Sequence, residues 1–457
     1  LPYFVIDEVR ILDVARAPVV PAGPLEADAH TLFLERFERL GEANTFQPEK
    51  GPAGKLHGGA TLVEGRFGKG LAMSTRGMAG YTKLDRLAEM GVRTVCFHEH
   101  WTPWQSHPYT TPENEPKLAE LVKAIHAKKM QLLLYMGRKI ADIAPEYELY
   151  SEDVLMMPRG RRYTRQPPQT DWGICWRSHW KEFALKGLAE TMDRFGSDGW
   201  YLDGSEWPCP CTNRDHGCGY VKPDGTIGPT HDIFATREFM RRLYVLTRQR
   251  RPDGQLNIHN STVMVIPTLA WGTSTWNGEQ LGSIDRGPEF LKLMPLDAFR
   301  TEMMGHPFGV PSEFLCYERP WTTHEALSFT LLHDVLVRPN GYDDRLEEVA
   351  SLWRAMDAFG RNKARWLPYW KNSDLVRPEH EAVKVSLYTR GKDGTLLVVS
   401  NLSAEARTAK VELNLKQLGL RAGAKAVDAR TNEPVTLENG RLAVELGGFD
   451  YTLVHVR

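Results

Sequence analysis

The sequence has no apolar run long enough to cross a membrane, and it has no excess of charge of either sign. A membrane-spanning helix needs about 20 predominantly apolar residues, and polar residues interrupt every apolar run here well before that length. Lysine and arginine number 57 against 58 aspartate and glutamate, for a net charge of -1. These absences argue against a membrane span and against a nucleic-acid or anionic-membrane partner.

Cysteine is also scarce, with six residues in a chain of 457. Three of them fall within ten residues, which is unlike the spread pattern of a disulfide framework. Together with a neighbouring histidine they have the chemistry of a closed zinc site, but the spacing is unusual, and a disulfide within the loop is an equal alternative. The residues concerned are Cys209, Cys211, His216 and Cys218. No other metal or cofactor is expected.

Residues 1–75 are β-rich and contain few helix signals. Leu1–Arg10 already has the pattern of a strand, so no signal peptide is expected there. A mature secreted chain has this appearance, and we expect a secreted or periplasmic protein. Phe4–Ile11 and Gly65–Leu71 resemble pieces of a laminin-G or concanavalin-like sandwich, although a linker with two strands is an equal interpretation.

Residues 76–372 alternate between strand-like and helix-like stretches, which is the pattern of βα units. Strands are predicted over 93–97, 131–135, 199–202, 255–258, 273–276 and 308–315. Helices are predicted over 83–90, 115–129, 179–195, 233–249, 288–304, 323–337 and 346–359, with a long loop over 143–178. About eight units in about 300 residues predict an α/β fold with a (β/α)8 barrel. Residues 373–457 lose the helix signals and predict an all-β sandwich.

Two carboxylates stand where such a barrel places its catalytic groups, at the carboxyl ends of strands. Asp203 ends one predicted strand, and Glu279 follows another. Glycoside hydrolysis usually needs two carboxyl groups, ~5–5.5 Å apart for retention or ~6.5–9.5 Å for inversion. Asp203 is the candidate nucleophile and Glu279 the candidate acid/base, whose pKa Trp271 and Trp276 could raise by desolvation. A turn-forming Asp203 and a solvated loop Glu279 are the structural alternatives.

The motif "DGWYLDG" over 198–204, followed by a loop rich in Trp, Cys and Asn, resembles retaining α-glycosidase barrels of the α-galactosidase and α-N-acetylgalactosaminidase superfamily. The resemblance implies hydrolysis of a galactose- or N-acetylgalactosamine-type glycan with retention. It places the nucleophile, Asp203, at the end of strand four and the acid/base, Glu279, at the end of strand six. In the closest members of that superfamily the acid/base residue is usually Asp, whereas this chain has Glu279 there. "HEHWTPW" and "CTNRDHGCGY" resemble bacterial proteins described only as containing a glycoside hydrolase domain.

Further polar and aromatic residues near predicted strand ends are candidates for binding an oligo- or polysaccharide. An indole packs on the C–H face of a pyranose, and the sugar hydroxyls need convergent polar partners. The candidates are His98, Glu99, Trp101, Trp104, Arg138, Trp172, Glu206, Trp207, His259, Asn260 and Trp276. Each Trp, taken singly, is equally compatible with packing inside the barrel.

Two other functions are compatible with the same sequence. A catalytically silent carbohydrate-binding barrel would keep the aromatic and polar residues without the chemistry. A metal-dependent barrel hydrolase would use His98 and His100, which project from one strand face as in amidohydrolases with two-metal sites. His259 could supply a further ligand, but no aspartate stands at a convincing eighth strand end.

Overall fold

The structure is a computed structural model. It describes residues 4–17, 20–41, 45–56, 61–73, 82–159, 163–165, 167–204, 207–261, 264–283, 291, 295–316, 321–338 and 345–457. The chain divides into two compact units, Leu1–Glu89 and Met90–Arg457. No helix in these ranges is long and apolar enough to span a membrane. The predicted domain boundaries at 75/76 and 372/373 stay predictions.

The described residues of the first unit form seven short strands and one helix. Its elements are Phe4–Ile6, Val9–Leu12, Thr31–Glu35, Thr45–Phe46, Gly54–Lys55, Thr61–Glu64, Lys69–Met73 and the helix Thr82–Glu89. The strand pattern over Leu1–Arg10 corresponds to two strands of different sheets, and Asp7 and Glu8 between them belong to neither. The Asp7 carboxylate accepts hydrogen bonds from the backbone N–H groups of Arg66 and Phe67, at 2.5 and 2.6 Å. Phe4–Ile6 therefore pairs with Lys69–Met73, while Val9–Leu12 joins a different sheet.

The second unit is built on a sheet of seven parallel strands that are hydrogen-bonded in chain order. They are β1 (Thr94–Phe97), β2 (Gln131–Gly137), β3 (Gly199–Asp203), β4 (Gln255–His259), β5 (Ser274–Asn277), β6 (Ser312–Leu315) and β7 (Leu336–Arg338). Parallel strands connected by helices have both faces covered, which agrees with the near-continuous apolar sequences of β2 and β3.

The sheet curls around a common interior. Tyr135 of β2, Tyr201 of β3, Trp276 of β5 and Leu315 of β6 belong to one buried cluster, and Cys96 of β1 packs against it. Side chains from β1 and β6 can meet only if the sheet bends toward itself. The α/β prediction is confirmed. The described residues provide seven strands of this sheet, so closure into an eight-stranded barrel stays a prediction.

Helices connect these strands, largely where periodicity predicts them. They span Glu115–Ala127, Tyr147–Val154, Trp180–Phe195, Ile233–Arg250, Ile266–Leu269, Leu296–Glu302, Thr323–Thr330 and Arg345–Phe359. The helix predicted over 323–337 is wrong in its second half. It passes into a 3-10 turn, and Asp334 adopts a left-handed conformation with φ 64°. That residue ends the helical turns and directs the chain into β7.

The stretch 143–178 is not a structureless loop. It contains the helix Tyr147–Val154 and the strands Tyr163–Arg165 and Gln169–Gly173, which form a three-stranded antiparallel sheet with the preceding strand Lys139–Ala141. Trp176, at its end, is fully buried and stacks on Phe239 with a ring separation of 3.9 Å. The stretch is therefore a folded insertion after β2.

The carboxyl-terminal part is a nine-stranded sheet of antiparallel pairs. In spatial order its strands are Arg365–Leu367, Val383–Thr389, Thr395–Asn401, Asp450–Val456, Ala426–Asp428, Pro434–Glu438, Arg441–Leu446, Arg407–Leu413 and Val376–Pro378. Leu397 and Val399 pack with Val411 and Leu442 in one core, so the two halves of the sheet enclose it. Alternate residues on the other face pack against the helices Thr323–Thr330 and Arg345–Phe359.

Candidate active site at the carboxyl edge of the parallel sheet

Strand register places four functional side chains in one row across the sheet. Asp203 of β3 lies beside His259 of β4, His259 lies beside Trp276 of β5, and Trp276 lies beside Glu313 of β6. Adjacent residues of parallel strands point to the same face, and Trp276 belongs to the interior cluster. We call these four residues, together with Glu279 above them, the strand-end site. Among the described strands of this sheet Asp203 ends the third and Glu279 follows the fifth. Their predicted places at strands four and six of a full barrel stay predictions.

His259 connects the two predicted catalytic carboxylates. Its Nε2 atom lies 2.8 Å from Oε2 of Glu279, and its Nδ1 atom lies 3.5 Å from Oδ1 of Asp203. The Tyr201 hydroxyl is 2.7 Å from Nδ1, and the Ser261 hydroxyl is 2.6 Å from Nε2. The ring is 7 % exposed, whereas the Asp203 and Glu279 side chains are 34 % and 52 % exposed. The imidazole is therefore fixed in place, and both carboxylates remain open to a substrate.

The charge state of Glu279 differs from the expectation. The hydrogen bond from His259 lowers the pKa of Glu279, and the positive charges of His259, Arg338 and His98 add to this effect against a smaller contribution from burial. The expectation that neighbouring tryptophans raise the pKa is therefore wrong for the free protein. The Trp276 indole instead donates a hydrogen bond to Oε2 of Glu313 at 2.9 Å.

Glu313 is a site residue that sequence analysis missed. Burial raises the pKa of its carboxyl group, although the hydrogen bond from Trp276 and the charge of Arg338 partly oppose this. It follows that the site holds one carboxylate with a lowered pKa and another with a raised pKa, the kind of difference that acid–base chemistry uses. Glu313 directly precedes the apolar pair Phe314-Leu315, so its sequence suggests a strand residue that faces solvent. However, Glu313 and Leu315 are two residues apart in one strand and therefore face the same side, and Leu315 faces the interior.

Trp276 is held as part of the site wall. The Arg338 guanidinium lies over its indole at 4.6 Å, and the Tyr201 ring lies 4.8 Å from it. With 8 % of its surface exposed, Trp276 offers little surface to a ligand in the free protein. Its role as a sugar platform stays a prediction, and its contacts in the structure are with Glu313 and Arg338.

The opposite end of β3 carries a second aspartate with a different environment. Asp198 is 6 % exposed and accepts hydrogen bonds from Nε2 of His126 at 2.7 Å and from the backbone N–H of Leu132 at 2.8 Å. These contacts join the amino end of the strand to its neighbours. In a barrel that end serves stability and the carboxyl end serves chemistry, so Asp198 is a natural structural counterpart of Asp203.

Three other predicted sugar-binding residues are buried and structural. Trp101 is 2 % exposed and donates its indole hydrogen bond to the backbone of Tyr135 at 2.9 Å. Arg138 is 2 % exposed, pairs with Asp232, and donates to the carbonyls of Ile174 and Trp207. Asn260 is 3 % exposed and accepts a hydrogen bond from the Thr275 hydroxyl. These contacts give all three residues a structural role, and sugar binding by them stays a prediction.

The remaining candidates are at least partly accessible or lie outside the described residues. The His98 side chain is 51 % exposed, contacts the Glu99 carboxylate at 3.3 Å, and lies over the ring of Tyr135 at 4.4 Å. Trp104, Trp172 and Trp207 are partly buried. Glu206 lies outside the described residues. The roles of these side chains stay predictions.

The structure brings together a different set of potential metal ligands from the one predicted in the cysteine-rich loop. Cys211, His216 and Cys218 come together with Cys175, and the potential ligand atoms of these four lie within 4.8 Å of one another. Cys209 instead directs its sulfur toward the carbonyl of Trp207, at 3.7 Å. All six cysteines lie in the described ranges, and none is joined in a disulfide. The inclusion of Cys209 was wrong because Cys175 comes from the folded insertion, far away in sequence.

The geometry does not favour the metal hydrolase that uses His98 and His100. Among the described residues, the one cluster of three or more potential metal-binding side chains is the cysteine–histidine group. His98 instead packs on Tyr135 and contacts Glu99.

Sequence and fold comparisons both lead to glycoside hydrolases. Residues 348–436 match the C-terminal domain of glycoside hydrolase family 123, whereas a search of curated proteins gives no match. The fold is similar to a maltogenic α-amylase, AmyB, from Thermotoga neapolitana, with a TM-score of 0.52, 13 % identity, and coverage of 83 % of this chain and 93 % of that one. An α-amylase from Geobacillus thermoleovorans gives 0.52 at 11 % identity, covering 82 % and 91 %.

A third similar fold is the galactosidase domain of the α-galactosidase–sucrose kinase AgaSK. The TM-score is 0.50 at 12 % identity, with 83 % of this chain covering 52 % of that one. The family match over residues 348–436 and the three folds confirm the resemblance to barrel glycoside hydrolases. They include amylases as well as a galactosidase, so they leave the sugar open.

Proposed function

We propose that this chain is a glycoside hydrolase whose chemistry takes place at the strand-end site. The observation that carries the proposal is the contact of one buried histidine, His259, with two exposed carboxylates, Asp203 and Glu279. Both carboxylates lie at the edge of a parallel sheet where barrel enzymes hold their catalytic groups. A pair of carboxyl groups across the scissile bond is what glycoside hydrolysis requires.

The finer proposal is hydrolysis of an α-glycoside with retention of configuration. Asp203 attacks the anomeric carbon while Glu279 donates a proton to the leaving oxygen, and a glycosyl–enzyme ester forms. Glu279 then takes a proton from the water that attacks the ester, and Asp203 is released. Tyr201 and Ser261, through their hydrogen bonds to the two ring nitrogens, hold His259 in the position from which it orients both carboxylates.

Proton donation by Glu279 requires a change when substrate binds. In the free protein the His259 hydrogen bond lowers the Glu279 pKa, which opposes a donor role. Because half of the Glu279 side chain faces solvent, a bound sugar would displace water from it and raise its pKa. Glu313, whose pKa burial already raises, is the alternative proton donor.

The proposed substrate is a galactose- or N-acetylgalactosamine-type glycan, and its support is the sequence resemblance around Asp203. The proposal is tested by measuring aglycone release from a panel of aryl α- and β-glycosides of galactose, N-acetylgalactosamine and glucose. We expect release from an α-glycoside of the galactose type. Release from a glucoside alone would overturn the sugar assignment, and release from a β-glycoside alone would overturn the anomeric one.

Two matched variants separate chemistry from folding in this assay. Asp203→Asn removes the nucleophile and should reduce turnover by at least about 10⁴-fold, on the scale of other nucleophile deletions, with the thermal midpoint unchanged. Asp198→Asn, at the other end of β3, should lower the midpoint and leave kcat close to wild type. An active, folded Asp203→Asn would refute the assignment. Saturable glycan binding without release of any product would instead indicate a silent binding barrel.

The metal-hydrolase alternative is tested by substitution. His100 is exposed, so His100→Ala should leave both the fold and glycoside release unchanged. Loss of release in a folded His100→Ala protein would favour metal chemistry. This variant is a cleaner test than a chelator, which would also affect a structural metal elsewhere.

A further inference from the structure

We propose that Cys175, Cys211, His216 and Cys218 bind a structural zinc ion. We call these four residues the Cys3His cluster. They come from two separate segments: Cys175 ends the folded insertion after β2, and the other three lie in the loop after β3. The three cysteines are fully buried, and Met156 packs against them. Three thiols and an imidazole meeting in a closed pocket are the ligand set of a structural zinc site.

Two separations within the cluster match a tetrahedral metal. Zn–S bonds of about 2.3 Å and a Zn–N bond of about 2.0 Å at tetrahedral angles place two sulfurs about 3.8 Å apart, and a sulfur and a nitrogen about 3.5 Å apart. Sγ of Cys175 and Sγ of Cys218 are 3.7 Å apart, and Sγ of Cys218 lies 3.5 Å from Nδ1 of His216. A disulfide would require the two sulfurs to be at ~2.05 Å.

The backbone around the cluster is arranged to hold these side chains. The backbone N–H of Cys218 donates to the carbonyl of Asn213 at 2.9 Å, and the backbone N–H of Asn213 donates to Sγ of Cys211 at 3.4 Å. Hydrogen bonds from N–H groups to ligand sulfurs are the usual second layer of a thiolate metal site. Cys175 is fixed by a bond from its N–H to the carbonyl of Val154 at 3.0 Å.

The cluster is joined to the strand-end side of the sheet through Asp232. This fully buried carboxylate pairs with Arg138, just beyond β2, and accepts from the backbone N–H groups of Trp176 and Cys209, at 3.2 and 2.9 Å. Sγ of Cys175 lies 3.8 Å from it. With four protein ligands the ion keeps no open position, so its role is to hold the loop that follows Asp203 and not to take part in the reaction.

The first test is elemental analysis of the purified full chain together with its intact mass under non-reducing conditions. The proposal predicts about one zinc per chain and six unoxidised cysteines. Absence of metal, iron in place of zinc, or a mass lower by two hydrogens, showing a disulfide within the cluster, would each overturn it.

Two cysteine variants provide a matched comparison. Cys175→Ser should lose most of its zinc, and Cys209→Ser, a buried neighbour that lies outside the cluster, should keep the wild-type content. The reverse result would restore the ligand set predicted from sequence spacing and overturn the one proposed here.

If Cys175→Ser fails to fold, cobalt substitution of the wild type keeps the proposal testable. Cobalt bound by three thiolates in tetrahedral geometry should show intense thiolate charge-transfer absorption and strong visible bands. The weak spectrum of an octahedral oxygen site would contradict the proposal.

Discussion

Two histidines of this protein each lie between two carboxylates, and they differ in what else those carboxylates contact. His324 joins Glu348 and Asp450, with N–O distances of 2.5 and 2.8 Å, where a helix packs on the antiparallel sheet. Glu348 also accepts from the Tyr451 hydroxyl at 3.0 Å, and Asp450 accepts from the backbone N–H groups of Gly447 and Tyr451. Every group of the His324 trio therefore serves to hold helix and sheet together.

The His259 trio has the same chemistry with its carboxylates left open. The Glu279 side chain is 52 % exposed, against 17 % for Glu348 and 25 % for Asp450. The second ring nitrogen of His259 has its short contact with the Tyr201 hydroxyl, at 2.7 Å, and its contact with Asp203 is 3.5 Å. The histidine is fixed while the acids can engage a substrate. We therefore expect the His324 trio, whose carboxylates are hydrogen-bonded within the fold, to provide stability. We expect the His259 trio, whose carboxylates remain accessible, to provide chemistry.

The largest expected contrast is between the two glutamates. Glu279→Gln removes the proposed proton donor and should reduce turnover by about 10²–10⁴-fold, with little change in the thermal midpoint. Glu348→Gln removes a partly buried partner of His324 and should lower the midpoint while leaving kcat unchanged. Turnover on aryl glycosides and thermal unfolding of both variants measure the contrast.

Glu313→Gln is the control for the proton-donor assignment. If this variant loses as much turnover as expected for Glu279→Gln, while Glu279→Gln stays active, the donor is the carboxyl group with the raised pKa. That result would reassign the role within the same strand-end site.

Substitution of each histidine should likewise have different effects in the two trios. His259→Asn should lower kcat by about 10²-fold, the scale of a misplaced catalytic group, because Asp203 and Glu279 lose their common contact. His324→Asn should lower the free energy of unfolding by about 1.5–3 kcal/mol, the range for hydrogen bonds to charged groups. Equal effects of both substitutions on kcat would break the distinction between the trios.

Stability should depend on pH through His324. Its hydrogen bonds to Asp450 and Glu348 raise its pKa to about 9, above an unfolded value of about 6.5. The contribution of His324 is therefore complete below the unfolded value and is lost as pH rises through about 9. The difference in unfolding free energy between wild type and His324→Asn should shrink from pH 6 to about pH 9.5, as measured by denaturant titration. A constant difference would contradict the charged trio.

A smaller effect is expected in the pH dependence of turnover. Turnover should fall as pH rises through the pKa of the proton donor, which gives the alkaline limb of the pH profile. The profile of kcat/KM reports the pKa of the donor in the free enzyme, and the profile of kcat reports its pKa in the enzyme–substrate complex. Because His259 lowers the Glu279 pKa in the free protein, the alkaline limb of kcat/KM should lie at lower pH than that of kcat. Superimposed limbs would indicate a donor whose pKa substrate binding does not change.

Sequence patterns predict the strands and helices of the parallel sheet well wherever an apolar run is flanked by clear breaks. The strand predicted over 199–202 is Gly199–Asp203, and the helix predicted over 233–249 is Ile233–Arg250. The pattern fails at β7, because its three residues follow a helix without a glycine or proline between them. The helical turns end at Asp334, which has a left-handed backbone conformation. Its residue type alone does not predict that conformation.

Of the candidate site, the sequence predicted only the residues that stand at the ends of predicted strands. Asp203 and Glu279 stand at such ends, but the place of His259 between them depends on the register of β3 and β4. Glu313 was missed because its contact with Trp276 depends on the register of β5 and β6, although its alternation with Leu315 already places it on the interior face. Cys175 was missed because tertiary folding brings it to Cys218 across 43 residues of sequence. Contacts of this kind are set by the packing of whole elements, and local spacing does not contain them.

The most direct test of the account is to trap the glycosyl–enzyme ester. A fluorinated galactosyl fluoride, which forms the ester quickly and loses it slowly, would be incubated with the wild type and with Asp203→Asn, and the labelled peptide identified by mass spectrometry. We expect one added sugar on the peptide that carries Asp203. This label should be absent from Asp203→Asn and present in Asp198→Asn. Turnover of this substrate with a label on another carboxylate, or with inversion of configuration and no label, would contradict it.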